Sequence, residues 1–211
     1  MRLEPGIAGA LRRLDAGGLV AFPTETVWGI AGIAASERAV TRLARWKGRA
    51  ETQPIAVLVP DLAALEALGA ELPLAARRLA AAYWPGPLTL VVRCPAAFAP
   101  GIANAAGGVG FRCSPHPAAR ALVAASFAAG LGALTATSLN RSGAAPARTR
   151  AEATRLCGER AGEPALLAGT WKDAGGGAPS TVIDLCSGPP RVVRSGALEA
   201  RAVLDCAEGA A

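Results

Sequence analysis

LVAFPTETVWG, residues 19–29, changes character at its midpoint. Leu19 to Phe22 is a short, unbroken apolar run with no helical period, which reads as a buried strand. Pro23-Thr24-Glu25-Thr26 follows at once and sets two hydroxyls and a carboxylate at the strand end. Polar turns at strand ends are where open α/β sheets bind ligands. The same residues also read as an ordinary turn in which a threonine caps the next segment. Upstream, residues 6–16 place Ile7, Leu11 and Leu14 on one helical face and stop at Gly17-Gly18. Downstream, Ser36 reads as the N-cap of a helix running to about Lys47, with Val40, Leu43 and Ala44 inward.

That alternation continues outward. Ile55–Val59 is a strand, followed by alanine- and leucine-rich helices over 61–68 and 73–83. Leu88–Arg93, Val109–Arg112 and Ala133–Ala136 read as strands, with a helix over 117–129 between the last two. A short helix over 150–157 precedes the strands Thr181–Leu185 and Arg191–Arg194. Helices alternating with strands, some joined by short links, predict a single α/β domain with a mixed sheet over residues 1–200. Residues 201–211 are expected to form a weakly ordered tail. Ala174 to Pro179, with Gly175, Gly176 and Gly177 inside it, reads as a flexible loop able to close over a site.

Composition narrows the class of function. The 211 residues are 52% hydrophobic but only 4% aromatic, so small and aliphatic side chains must build the core. Twenty-two Lys and Arg against 16 Asp and Glu give a net charge of +6, which suits anionic partners. The basic residues are scattered, with no run of five, so neither a nucleic-acid arm nor a membrane-tethering tail is present. The five cysteines form no CxxC pair and the chain has one histidine, which fits reduced thiols better than a disulfide framework or a zinc site. With no long apolar span or secretory leader, a cytoplasmic location is expected.

Several loops carry chemistry that is weak singly. Lys47-Gly48-Arg49 closes a helix, where cations complement the helix dipole; with Gly48 between them, the ammonium and guanidinium can also meet one phosphate group. Thr137-Ser138-Leu139-Asn140 leaves a strand with short hydroxyl and amide groups, either a phosphate cradle or a plain turn. Arg112 ends an apolar strand, as a snorkelling surface residue or one aimed at an anion. His116, between two prolines, reads more naturally as structural than as a general base. No GxxxxGK[ST], GxGxxG or GxSxG occurs. What is left is a set of cations and hydroxyls suited to aligning reactants that bring their own chemistry.

Taken in order, FPTETVWGI (22–30), WKGR (46–49), QPIAVLV (53–59), WPGPLTLVV (84–92), VGFRCSPHP (109–117), TSLNRSG (137–143), STVIDL (180–185) and VVRSGAL (192–198) resemble the YrdC-like family, specifically its short-form L-threonylcarbamoyladenylate synthases. The resemblance implies a twisted mixed sheet flanked by helices that encloses a basic cavity. It also implies formation of threonylcarbamoyl-AMP and pyrophosphate from L-threonine, bicarbonate or CO2 and ATP, with magnesium bridging the phosphates. Matching positions assign Lys47, Arg49, Ser138, Asn140 and Arg194 to ATP, and Thr26, Arg112 and Ser180 to threonine, with Thr24 and Thr137 close by. Lys47 and Arg49 would carry catalysis, and no protein side chain is identified as a metal ligand. Lys47→Ala is expected to abolish turnover and leave the fold intact. Downstream transferases acting on tRNA, and weak contact with tRNA itself, are the implied partners. Two departures stand out: Leu139 replaces the alanine usual between Ser138 and Asn140, and Leu58 stands where some longer relatives have histidine. An RNA-binding module, or a relative using a different acceptor, is the alternative; the scarcity of aromatic stacking platforms weighs against the first.

Overall fold

The structure is a computed structural model and describes residues 5–48, 54–158, 164–186 and 188–209. Helix α1 (Pro5–Asp15) leads into a hairpin of β1 (Val20–Phe22) and β2 (Gly29–Ala31), and α2 (Glu37–Lys47) follows. Then come β3 (Ala56–Leu58), α3 (Leu62–Ala67), α4 (Leu74–Tyr83), β4 (Leu88–Arg93), β5 (Gly108–Arg112) and α5 (Pro117–Ala128). The chain continues through β6 (Leu134–Ser138), α6 (Arg150–Gly158), β7 (Ala165–Leu166), β8 (Thr181–Asp184), β9 (Arg191–Arg194) and α7 (Ala200–Glu208).

Among the described residues the strands form one nine-stranded mixed sheet in the order β7-β1-β2-β6-β3-β5-β4-β8-β9. Two of its strands are absent from the sequence reading, and both are short. In β2, Gly29 pairs with Phe22 of β1 on one side and with Ser138 of β6 on the other. In β7, Ala165 and Leu166 pair in parallel with Val20 and Ala21. Runs of three and two residues show no period that a sequence can reveal.

Strand alternation separates core from cavity. Leu88, Leu90 and Val92 of β4, Val109 and Phe111 of β5, Val57 of β3 and Ile183 of β8 are all buried. Their neighbours Thr89, Val91, Gly108, Gly110, Ala56, Val182 and Asp184 line one hollow on the opposite face. The cross-strand pairs Thr89↔Arg112 and Val91↔Gly110 confirm that these residues share a face. Small residues make that face concave: a Cβ at Gly110 would already stand 3.3 Å from Thr89 Cγ2.

The expected loose tail is corrected. Residues 200–208 form α7, packed on α4, with Val203 and Ala207 buried beside Leu79, Leu88, Leu90 and Ile183. The Glu199 side chain accepts from the Arg201 and Ala202 N–H groups, satisfying donors that a helix start leaves open. Gly209 closes the helix at φ 77°, a conformation that a side chain would resist.

Candidate active site

The hollow on the sheet has a volume of about 510 Å³ and is lined by Thr26, Lys47, Arg112, Thr137, Ser138, Asn140, Ser180 and Arg194 together. Eight of the ten residues singled out from the sequence therefore share one cavity. Thr24 lies beneath it, in a small adjoining hollow with Arg112, Thr137 and Ser138. Arg49 lies outside the described residues.

One end is built around Lys47. Helix α2 begins at Ser36, whose side chain accepts from Ala39 N, and ends at Gly48 in the left-handed region at φ 64°. That stop leaves Lys47 buried, 4% exposed, on the sheet side of the last turn. Its ammonium donates to Ser138 O at 2.5 Å and to Asn140 O and Oδ1, both at 3.1 Å. Ser138 Oγ donates to the same Oδ1 at 2.6 Å, and Asn140 Nδ2 donates to Arg141 O and Ala144 O. Lysine carries three donors, and these contacts tie it to the 138–140 turn, so Lys47 shapes the turn as well as charging it. The expectation that Lys47→Ala spares the fold is therefore revised. Leu139, between the two polar residues, is fully buried in the core with Trp28 and so does not narrow the cavity.

The other end is the turn after β1. Thr24 Oγ1 donates to Val27 O at 2.6 Å and accepts from the N–H groups of Thr26 and Val27. The turn reading and the ligand reading are thus compatible: Thr24 holds the turn, and Thr26 faces the cavity. Arg112 Nη2 donates to Thr26 Oγ1 at 2.5 Å and to Glu25 Oε1 at 2.6 Å. Ser114 Oγ donates to the other oxygen of Glu25. Arg112 Nε is buried without a partner, so this guanidinium is not an idle surface residue.

The rim comes from β8 and β9. Arg194 donates through Nε and Nη2 to Ser180 O at 3.1 and 2.8 Å, and Nη2 also reaches Ser180 Oγ at 3.0 Å. Ser180 Oγ and Thr89 Oγ1 are 2.8 Å apart. The sequence shows the Glu25 carboxylate at the strand end without giving it a role, and Ser114, Thr89 and Asp184 do not stand out in it at all. Strand alternation could have found Thr89 and Asp184, each two residues from another cavity-lining position. Ser114 is visible only once Glu25 has been placed.

His116 meets this constellation only through its backbone N–H, which donates to Ser114 Oγ at 3.2 Å; its ring is engaged elsewhere. Its Nδ1 accepts from Ala118 N at the start of α5, and Nε2 lies 3.2 Å from Lys172 O. These contacts fix the neutral ring with the proton on Nε2, and burial lowers its pKa from the ordinary value. The glycine loop lies against the β1–β2 turn: a Cβ on Gly176 would come within 2.9 Å of Glu25 O. Leu58 is buried in the core beside Leu122 and Leu134. All five cysteines are free, and burial pushes Cys113 and Cys157 up to about 11, which leaves them poor nucleophiles. Among the described residues no group of three His, Cys, Asp or Glu could hold a metal ion, and no helix is long and apolar enough to cross a membrane.

Residues 12–196 match the family model Sua5_yciO_yrdC, described as "Telomere recombination". The chain is 36% identical to "Threonylcarbamoyl-AMP synthase" of Bacillus subtilis over 198 residues, covering 92% of this chain and 54% of that protein. It is 34% identical over 190 residues to the Thiobacillus denitrificans protein of the same name, covering 88% of this chain and 92% of the relative. Its fold matches the crystal structure of P. abyssi Sua5 complexed with L-threonine at a TM-score of 0.84 and 32% identity. That match covers 95% of this chain and 56% of the other, so the chain spans about half the length of that Sua5.

Proposed function

We propose, given that this chain belongs to the Sua5_yciO_yrdC family, that it is a threonylcarbamoyl-AMP synthase serving threonylcarbamoyladenosine modification of tRNA. It would act as a nucleotidyltransferase on L-threonine, bicarbonate or CO2, and ATP. One observation carries the reading: Lys47, Ser138 and Asn140 open on the same cavity of about 510 Å³ as Thr26, Arg112 and Ser180. A reaction that joins an amino acid to a nucleotide needs such adjacent subsites.

In this reading the threonine amine attacks the carbon of CO2 with loss of a proton, or that of bicarbonate with loss of water, forming a carbamate. A carbamate oxygen then attacks the α-phosphorus of ATP, forming the mixed anhydride and releasing pyrophosphate. Both steps gather negative charge, and cations fixed before the substrates arrive stabilise it without reorganising. The ammonium of Lys47, with Ser138 and Asn140, would hold the phosphates, helped by Arg49. Arg194 would meet the nucleotide from the rim. Arg112 would take the threonine carboxylate, since it lines the cavity and its guanidinium is held in place at Nη2 by Glu25 and Thr26. Thr26, Ser180 and Thr137 would contact the rest of the amino acid.

Magnesium would arrive with the ATP phosphates. The one carboxylate among the described cavity-lining residues is Asp184, so the described residues offer no cage, and Mg²⁺ bound mainly through phosphates and water fits that donor set. Bound there, it would offset phosphate charge. Threonylcarbamoyl transfer to tRNA belongs to separate partner proteins.

The test is pyrophosphate release by the purified protein. Release that needs threonine, bicarbonate and Mg-ATP together is expected, with turnover lowered roughly a hundredfold in Asn140→Ala. Release without threonine, or an unaffected Asn140→Ala, would refute the assignment.

A further inference from the structure

Glu25 has no role in that scheme, and it is not among the described residues lining the cavity. Yet both its oxygens are engaged, Oε1 by Arg112 at 2.6 Å and Oε2 by the Ser114 hydroxyl. The pair is well shielded, with side-chain exposures of 13% for Arg112 and 17% for Glu25. Thr26 Oγ1 takes a second bond from the same Nη2. Two acceptors on one nitrogen fix the plane of the guanidinium and decide which edge is left for a ligand. Placing a carboxylate beside an anion-binding arginine has a cost, however. It weakens the pull of Arg112 on every anion, so it needs a reason beyond affinity.

Charge matching supplies one. An amino acid is a zwitterion: its carboxylate can meet Arg112 while its ammonium offsets the field of Glu25. A phosphate oxygen cluster carries no such cation, so the charge of Glu25 behind Arg112 would act on it uncompensated. The cavity must sort both kinds of anion, because triphosphate and amino acid enter the same hollow. Resting on the reading given above, we propose that Glu25 is a positioning and specificity-determining residue: through Arg112 it reserves this end of the cavity for a zwitterionic amino acid and turns phosphate groups away.

Glu25→Gln keeps the shape and removes the charge, and inorganic phosphate is the probe. In the wild type, phosphate is expected to compete with ATP and not with threonine. In Glu25→Gln the KM for threonine is expected to rise on the order of tenfold while that for ATP stays within about twofold, and phosphate becomes competitive with threonine. Glu25→Asp, which retains the charge, should keep threonine free of phosphate competition. A Glu25→Gln enzyme whose threonine kinetics stay blind to phosphate would overturn the inference. So would equal losses for ATP and threonine shared by Glu25→Asp, which would mark Glu25 as merely structural. Should Glu25→Gln fail to fold, Ser114→Ala frees one of the two anchors of Glu25. A selective rise in threonine KM there supports the inference, and unchanged kinetics overturn it. Threonine-dependent pyrophosphate release by the wild type stands as the separate check: its absence removes the underlying reading, whereas its presence beside a phosphate-blind Glu25→Gln removes this inference alone.

Discussion

Lys47 illustrates how a buried charge is made tolerable. Burying an ammonium is costly unless carbonyl oxygens replace its water, and Ser138 O, Asn140 O and Asn140 Oδ1 do so. Removing it takes the ammonium from Asn140 O, a loss worth about 1–3 kcal/mol, while Asn140 Oδ1 keeps Ser138 Oγ and Ser138 O keeps the Asn140 N–H. Lys47→Ala should therefore lower unfolding free energy by about 1–3 kcal/mol, and also abolish turnover. A urea melt coinciding with that of the wild type would contradict the contacts. His116 gives a second residue-scale expectation. Its folded pKa lies below the ordinary 6.5, so in the window between the two the unfolded chain binds a proton that the folded chain does not. Stability should thus fall as pH drops through 6.5 and level off below the folded pKa. His116→Asn, which keeps a capping acceptor without titrating, should lack that step in melts recorded from pH 7.5 downward. These roles were only half legible. Hydroxyls and cations at strand ends stood out in the sequence, whereas the contacts of Lys47 with residues 91 and 93 positions away depend on the sheet order.

Elements with a clear period were readable and short ones were not. The spans of α2, α4, α5, β4 and β9 follow from apolar spacing, and the caps at Ser36 and Gly48 mark where α2 starts and stops. β2 and β7 exist through tertiary pairing: Gly29 faces Ser138 because the β1 hairpin adds to β6, an event with no local signature. α7 was missed for another reason. Its inward face amounts to Val203 and Ala207, too small a stripe to separate a packed helix from a polar tail. That stripe is nevertheless buried, so Val203→Ala should cost about 2 kcal/mol through lost transfer energy and a residual cavity. Thermal melting checks this, and an unchanged midpoint would mean that α7 does not support α4.

On the scale of the whole molecule, one face of the sheet is buried along its length, with Ala21, Ile30, Val57, Leu90 and Phe111 inside. The other buries Val20, Phe22, Leu58 and Leu134 under α1 and α5 and elsewhere uses glycine, alanine, threonine and serine to stay hollow. A basic, alanine-rich chain poor in aromatics is well suited to that arrangement, since bulky rings would fill the space that substrates need. The central claim is that this hollow brings threonine and ATP together. Mass spectrometry of a reaction containing the purified protein, L-threonine, isotopically labelled bicarbonate and Mg-ATP tests it most directly. The account predicts threonylcarbamoyl-AMP carrying the label in its carbamoyl carbon. ATP hydrolysed to AMP or ADP with no labelled adduct would contradict it.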